Sequence, residues 1–286
     1  MRVALSRGIV PTAAIFTRDL RFASVVSCFA AALLLVSAAA GLALGARTLY
    51  ASDPMRIALI AQDAVAIVFG LPLLIVSARS ARRGSARGLV SWMGALFYVA
   101  YFWFFNVVGV QFGPLLPVHI VIVSLAMYGA LYLFVGLNPD AIKARFSLRL
   151  KARSIAVFLM GTASIFAVAW LVLIVSRAQA GTGLDPVTRL VVAVDGVVLL
   201  PLMFFGGLWL WRSQPLGYAL AAMLLVKSVA TFLTLAVTSF VTWSAGGRVA
   251  PLEFAAYGIG LVIASMLLFN CLASLEDGPS LQGRLP

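Results

Sequence analysis

Apolar residues run through this chain in eight blocks, separated by short polar or Gly- and Pro-containing stretches: residues 22–46, 54–78, 89–110, 117–137, 154–176, 186–211, 216–241 and 251–273. A helix needs about 20 residues to cross about 30 Å of hydrocarbon. A barrel strand takes about 10 and alternates polar with apolar positions. The blocks do not alternate, so the pattern predicts an all-α integral membrane protein with eight transmembrane helices. The first block follows a basic stretch and ends near the small residues Ser37 to Ala40, the outline of a signal peptide. It is longer than a usual signal core and has an internal counterpart at 154–176, so it is expected to be the first span.

The blocks fall into two sets of four. DPMRIALIAQD, from Asp53 to Asp63, returns as DPVTRLVVAVD from Asp185 to Asp195, 132 residues later. The alignment continues without a gap outside the motif: Arg21 falls on Arg153, Val25 on Val157, Ala31 on Ala163 and Ala61 on Ala193. The expected organisation is a basic segment at 1–21, a four-helix repeat at 22–137, a basic linker at 138–153, a second four-helix repeat at 154–273, and a cytoplasmic tail at 274–286 whose polar part, EDGPSLQGRLP, is expected to be disordered. An even number of spans per copy gives both copies one orientation, with a pseudo-twofold axis along the membrane normal.

Composition agrees with this pattern: 63% of residues are hydrophobic and 10% charged, where a soluble domain carries about 25% charged residues. The net charge of +12 does not point to nucleic acid, because the charges lie in alternate loops. Fifteen Lys and Arg fall on one side of the eight spans and five on the other. The positive-inside rule then places both termini in the cytoplasm, with anionic lipid headgroups as the partner of the basic loops. The preference for Arg over Lys, with abundant Ala, Val and Leu, suggests a GC-rich genome and hence a bacterial cytoplasmic membrane. Cys28 and Cys271 are isolated, and one His leaves no metal or haem ligand set. No cofactor is expected.

The chemistry resides in a few ionisable residues inside apolar blocks. Asp53 and Asp185, each followed by Pro, read as helix N-caps. Asp63 and Asp195 come ten residues later, about 15 Å along a helix, too deep to cap it. Counted from Arg79 and Arg212, they lie about 5 Å inside a core about 30 Å thick, where a carboxylate is costly and marks a functional candidate. His119 and Glu253 occupy matching places at the starts of the fourth and eighth spans. If the axis gathers these helix ends, one mouth would hold two Asp, a His and a Glu. Lys227 lies near mid-membrane, with Asp195 as its expected partner, and its counterpart in the first copy is about Tyr98.

Pro72 and Pro201 are expected to kink or unwind the second and sixth spans, and the aromatics between Phe97 and Phe105 read as an interfacial belt with lipid-facing bulk. Three readings follow. The leading one is a transporter or channel-like protein for a small solute, proton or cation, with Asp63 and Asp195 as a paired site near the outer leaflet. The second is a membrane-embedded enzyme or lipid-binding protein at that leaflet. The third is a structural or accessory subunit of a larger membrane complex, and the expected protein partner is a further copy of the chain, as a homo-oligomer, or such a complex. Catalysis has little support: no nucleophile stands beside a base and no loop cradles phosphate.

Overall fold

The structure, a computed structural model, describes residues 15–45, 49, 56–109 and 113–277 of the 286. Among the described residues, eight helical spans are long and apolar enough to cross a membrane. They comprise α1 (Leu20–Leu44), α2 (Arg56–Val65) continuing into α3 (Leu71–Arg82), α4 (Ala86–Val108) and α5 (Leu116–Gly136). A short α6 (Pro139–Lys143) follows, then α7 (Ala152–Gln179), α8 (Pro186–Val194) continuing into α9 (Leu200–Trp211), α10 (Pro215–Ser244) and α11 (Pro251–Ser274). Among the described residues there is no strand, only the isolated bridges Phe16–Leu137 and Phe146–Leu275.

The two composite spans share one device. Between α2 and α3 the chain makes a π turn over Ala66–Gly70, and between α8 and α9 another over Asp195–Leu199. Each is followed by Leu-Pro, Leu71-Pro72 and Leu200-Pro201. Proline has no N–H to return to the carbonyl four residues back, and its ring crowds that carbonyl. Widening the preceding turn relieves the clash while the helix continues.

The bundle is built around α4 and α10. Of their most apolar windows, 78% and 72% of residues are buried, against 11% and 6% for α7 and α11. α4 packs on α3, α5 and α10, and α10 packs in addition on α9, α11, α2 and α6. Small residues allow this closeness. A Cβ on Gly94 would stand 2.5 Å from Val226 Cβ and 2.8 Å from the Met223 carbonyl, so only glycine admits the crossing at this height. The central place of α4 also corrects the reading of its aromatics as lipid-facing bulk. Tyr98, Phe102, Trp103 and Phe105 are buried, because a helix enclosed on three sides has little lipid face to cover.

The end of the bundle that carries the basic loops is tied by main-chain and side-chain bonds. Asn138 caps α6, and Ala141 and Ile142 are buried there, so the linker packs rather than standing off in solvent. Lys143 Nζ donates to the Ser213 carbonyl at 2.7 Å. The tail is ordered further than its polarity suggests. Glu276 N donates to the Arg145 carbonyl at 2.9 Å, and Asp277 Oδ1 accepts from Ser85 Oγ and Ala86 N, both at 2.9 Å. A carboxylate at the first turn of α4 meets unsatisfied N–H groups and the positive end of the helix dipole. The remainder of the tail, from 278, lies outside the described residues.

Candidate functional site

A cavity of about 240 Å³ lies off the central crossing, in the half of the bundle away from the basic loops. Its walls come from α2, α4, α7, α8, the second π turn, α9, α10 and α11. Along α10 it extends from Lys227 to Thr238, eleven residues or about 16 Å of helix rise, so it is long and narrow. Leu199, Leu200 and Met203 line its deep part. Toward the basic end, residues 219 to 226 of α10 are all apolar and buried, and no polar side chain continues the cavity along that helix.

The polar groups converge at the deep end. Asp195 opens the second π turn and is buried. Its Oδ1 accepts from the Tyr101 hydroxyl at 2.5 Å, and its Oδ2 from Trp170 Nε1 at 3.1 Å. Two donors from two other helices thus hold both oxygens, the arrangement an ionised carboxylate requires when it leaves water. Lys227 is 2% exposed and makes no ion pair to Asp195 within 4.0 Å. Instead its Nζ stands 3.8 Å from the centroid of the Tyr101 ring. Tyr101 therefore separates the two charges and serves both, hydroxyl to the carboxylate and ring face to the ammonium.

Three threonines continue from Lys227 up the same face of α10. Thr231, Thr234 and Thr238 each donate, at 2.9 Å, to a carbonyl one turn back, those of Lys227, Ala230 and Thr234. Their protons are spent on the backbone, so they offer the cavity lone pairs only. On the facing wall, Gln62 is 6% exposed, and its Nε2 has no hydrogen-bond partner among the described residues. A buried N–H of this kind costs roughly 1–3 kcal/mol until something accepts from it.

The other residues singled out from the sequence do not join this cluster. Asp63 is buried on α2 but is not among the residues that line the cavity, although Gln62 beside it is. His119 packs between α5 and α1, its Nε2 3.0 Å from Ser37 Oγ. Glu253 is exposed at the start of α11, one turn before the cavity residue Tyr257. A common mouth of two Asp, His and Glu is therefore not formed, because α5 packs on α1 whereas α11 packs on α10. Asp53 lies outside the described residues. Asp185 caps α8, its Oδ1 accepting from Thr188 N at 2.9 Å. Hydrogen bonds from the Thr188 side chain and main chain hold this carboxyl below the ordinary carboxylate range.

Tyr101, Trp170, Gln62 and the threonines were not singled out from the sequence. The threonines carried a readable signal, a 231-234-238-242 spacing on one helix face within an apolar span. Comparison with known proteins returns no matching family model, no similar curated protein and no similar solved structure.

Proposed function

We propose that this chain is a multi-pass protein of a bacterial cytoplasmic membrane that binds one small, largely apolar molecule in the cavity beside Lys227. With the basic loops and both termini in the cytoplasm, the cavity lies in the outer half of the membrane. The observation that carries this reading is a buried cavity with aromatic walls, in which a lysine and a glutamine present unused N–H groups. Apolar walls with a few convergent polar groups are the usual make-up of a small-molecule site. A metal-cation site has little support, since both Asp195 oxygens already have donors and an ammonium stands at the deep end. Among the described residues no group of His, Cys, Asp and Glu could hold a metal ion.

The site belongs to the second of two related halves. From the π turns onward, features recur at a spacing of 129 rather than 132 residues: Ala66–Gly70 and Asp195–Leu199, Pro72 and Pro201, Arg83 and Arg212. The left-handed turn residues Gly84 and Ser213 follow the same spacing. So do Gly88 and Gly217, where an added Cβ would meet the end of the preceding helix at 2.4 and 2.2 Å. Such agreement supports tandem duplication followed by loss of three residues between Asp195 and Pro201. Three residues are about 4.5 Å of rise and 300° of turn, which sets Asp195 at a different height and azimuth from Asp63. At the same spacing Lys227 replaces Tyr98, and Thr231 replaces Phe102. The second copy has thus gained polar groups and space where the first is filled.

Transport remains a second reading, favoured by the π turns in the two proline-containing spans, where helices can rearrange at low cost. The test of binding is native mass spectrometry of protein extracted gently from its own membrane, compared with Thr231→Phe, which fills the cavity with the residue found in the other copy. Wild type should carry an adduct that the variant lacks. Identical spectra would contradict the proposal.

A further inference from the structure

We infer that the ligand of this cavity is a neutral, lipid-soluble carbonyl compound of the quinone class, an inference that rests on the binding reading above and deepens it. Three observations carry it: the charge balance of the cluster, its inventory of hydrogen-bonding groups, and the wall through which the cavity adjoins lipid.

Asp195 and Lys227 give the cavity one negative and one positive group, joined through Tyr101. The set is balanced as it stands. An anionic guest would leave a net buried charge in the membrane interior, and a cationic guest would face Lys227; both carry the cost of an uncompensated charge in low dielectric. A neutral guest adds none.

The hydrogen-bonding groups then select its polar atoms. At the deep end, Lys227 Nζ rests on a ring face and among the described residues makes no hydrogen bond. Gln62 Nε2, on α2, is the second unused donor. Both need acceptors. The acceptors of Asp195 already have donors, and the threonine protons are committed to the backbone. The groups left without a partner are donors, so the guest must bring acceptors, and two carbonyl oxygens on one flat ring supply them. The threonine oxygens can also accept from a guest, but each hydroxyl already makes one hydrogen bond and needs no second. The walls suit such a ring: Phe102, Phe105, Phe166, Trp170 and Phe232 all line the cavity. Aromatic side chains stack on flat π systems with gains beyond area burial.

The route to the site is through lipid. α7 and α11 touch only sparsely, whereas α1 and α5, their counterparts in the first half, pack extensively. From 164 to the end of α7, only Phe166, Trp170 and Leu173 are even half-buried, and the first two line the cavity. One side of the cavity is therefore a single helix with little backing. A guest that partitions into the bilayer reaches it between α7 and α11.

The test uses the full chain in lipid nanodiscs, with ubiquinone-1, decanoate and tetradecane as probes, each quantified in protein-loaded over protein-free discs after gel filtration. Ubiquinone-1 is expected to be retained near one per chain. Lys227→Met and, independently, Gln62→Leu should each weaken that retention roughly 10- to 100-fold, the range one hydrogen bond to a carbonyl supplies when its donor is charged or otherwise left buried. Lys143→Met, at the far end of the bundle, should leave it unchanged. Retention of decanoate in preference to ubiquinone-1 would overturn the neutral-carbonyl inference and leave the binding reading standing. Retention of ubiquinone-1 that neither variant weakens would overturn the assignment of its oxygens to these two donors. No retention of any probe, with no adduct on protein from native membranes, would overturn both.

Discussion

Replacing Tyr101 with phenylalanine removes one oxygen and keeps the ring, so it isolates the bond that holds Asp195. That bond is 2.5 Å long with a carboxylate as acceptor, at the short end of charge-assisted hydrogen bonds. Neutral hydrogen bonds between membrane helices contribute only about 0.6 kcal/mol on average. A bond to a charged group contributes about 1.5–3 kcal/mol, and here its loss leaves one Asp195 oxygen buried without its donor. The expected loss is therefore about 1.5–3 kcal/mol for Tyr101→Phe. Tyr101→Leu also removes the ring from beneath Lys227, 3.8 Å from Nζ, and should cost about 2 kcal/mol more. Reversible unfolding in mixed micelles, run as a double-mutant cycle with Asp195→Asn, gives the coupling directly. A coupling near 1.5–3 kcal/mol is expected. A loss below about 0.6 kcal/mol with no coupling would refute the view that Tyr101 holds a charged Asp195.

Other consequences are open to simple measurement. Gly94→Val should destabilise the bundle by about 1–3 kcal/mol or more, read by the same unfolding assay, since its side chain would meet Val226 and Met223 at the central crossing. Asp277→Ala should cost about 1 kcal/mol, the usual contribution of a cap. Limited proteolysis should then cut the chain after α11 sooner, because the Ser85 and Ala86 contacts are lost. Asp185→Ala should speed amide exchange in the first turn of α8 at neutral pH, by the loss of a cap worth about 0.5–1 kcal/mol. Because the folded carboxyl titrates below its ordinary value, this contribution is complete above pH of about 4 and fades as pH falls through the folded value. Wild type and variant should therefore exchange alike in strong acid.

The spans were legible in the sequence because each block of apolar residues has one way to satisfy its backbone in lipid, as a helix. The π turns were half legible: Pro72 and Pro201 announced a disturbance, but not that a wider turn would absorb it. The site was less legible. Asp195 and Lys227 were visible because charge is rare in such spans, yet their direct pairing was not found, since counting residues gives height along a helix and not azimuth across the bundle. Tyr101 shows the difficulty. Surrounded by Phe97, Phe102, Phe104 and Phe105, it looks like one more lipid-facing aromatic, and only the inward turn of α4 makes it the link between two charges. Asp63 and Asp195 stand differently for a related reason. The motif of Asp63 aligns with that of Asp195 without a gap, with both Asp, the Pro and one Ala identical, but the change from 132 to 129 in spacing alters how each carboxylate stands relative to the proline below it.

The most direct test of ligand binding at Lys227 is a density map of the wild-type chain reconstituted from its own membrane lipids, set beside one of Lys227→Met. Wild type should show a compact non-protein density between Lys227, Gln62 and Trp170, reaching toward the opening between α7 and α11, and the variant should lose it. Side chains closing over that space in both maps, with no density beside Lys227, would contradict the central claim.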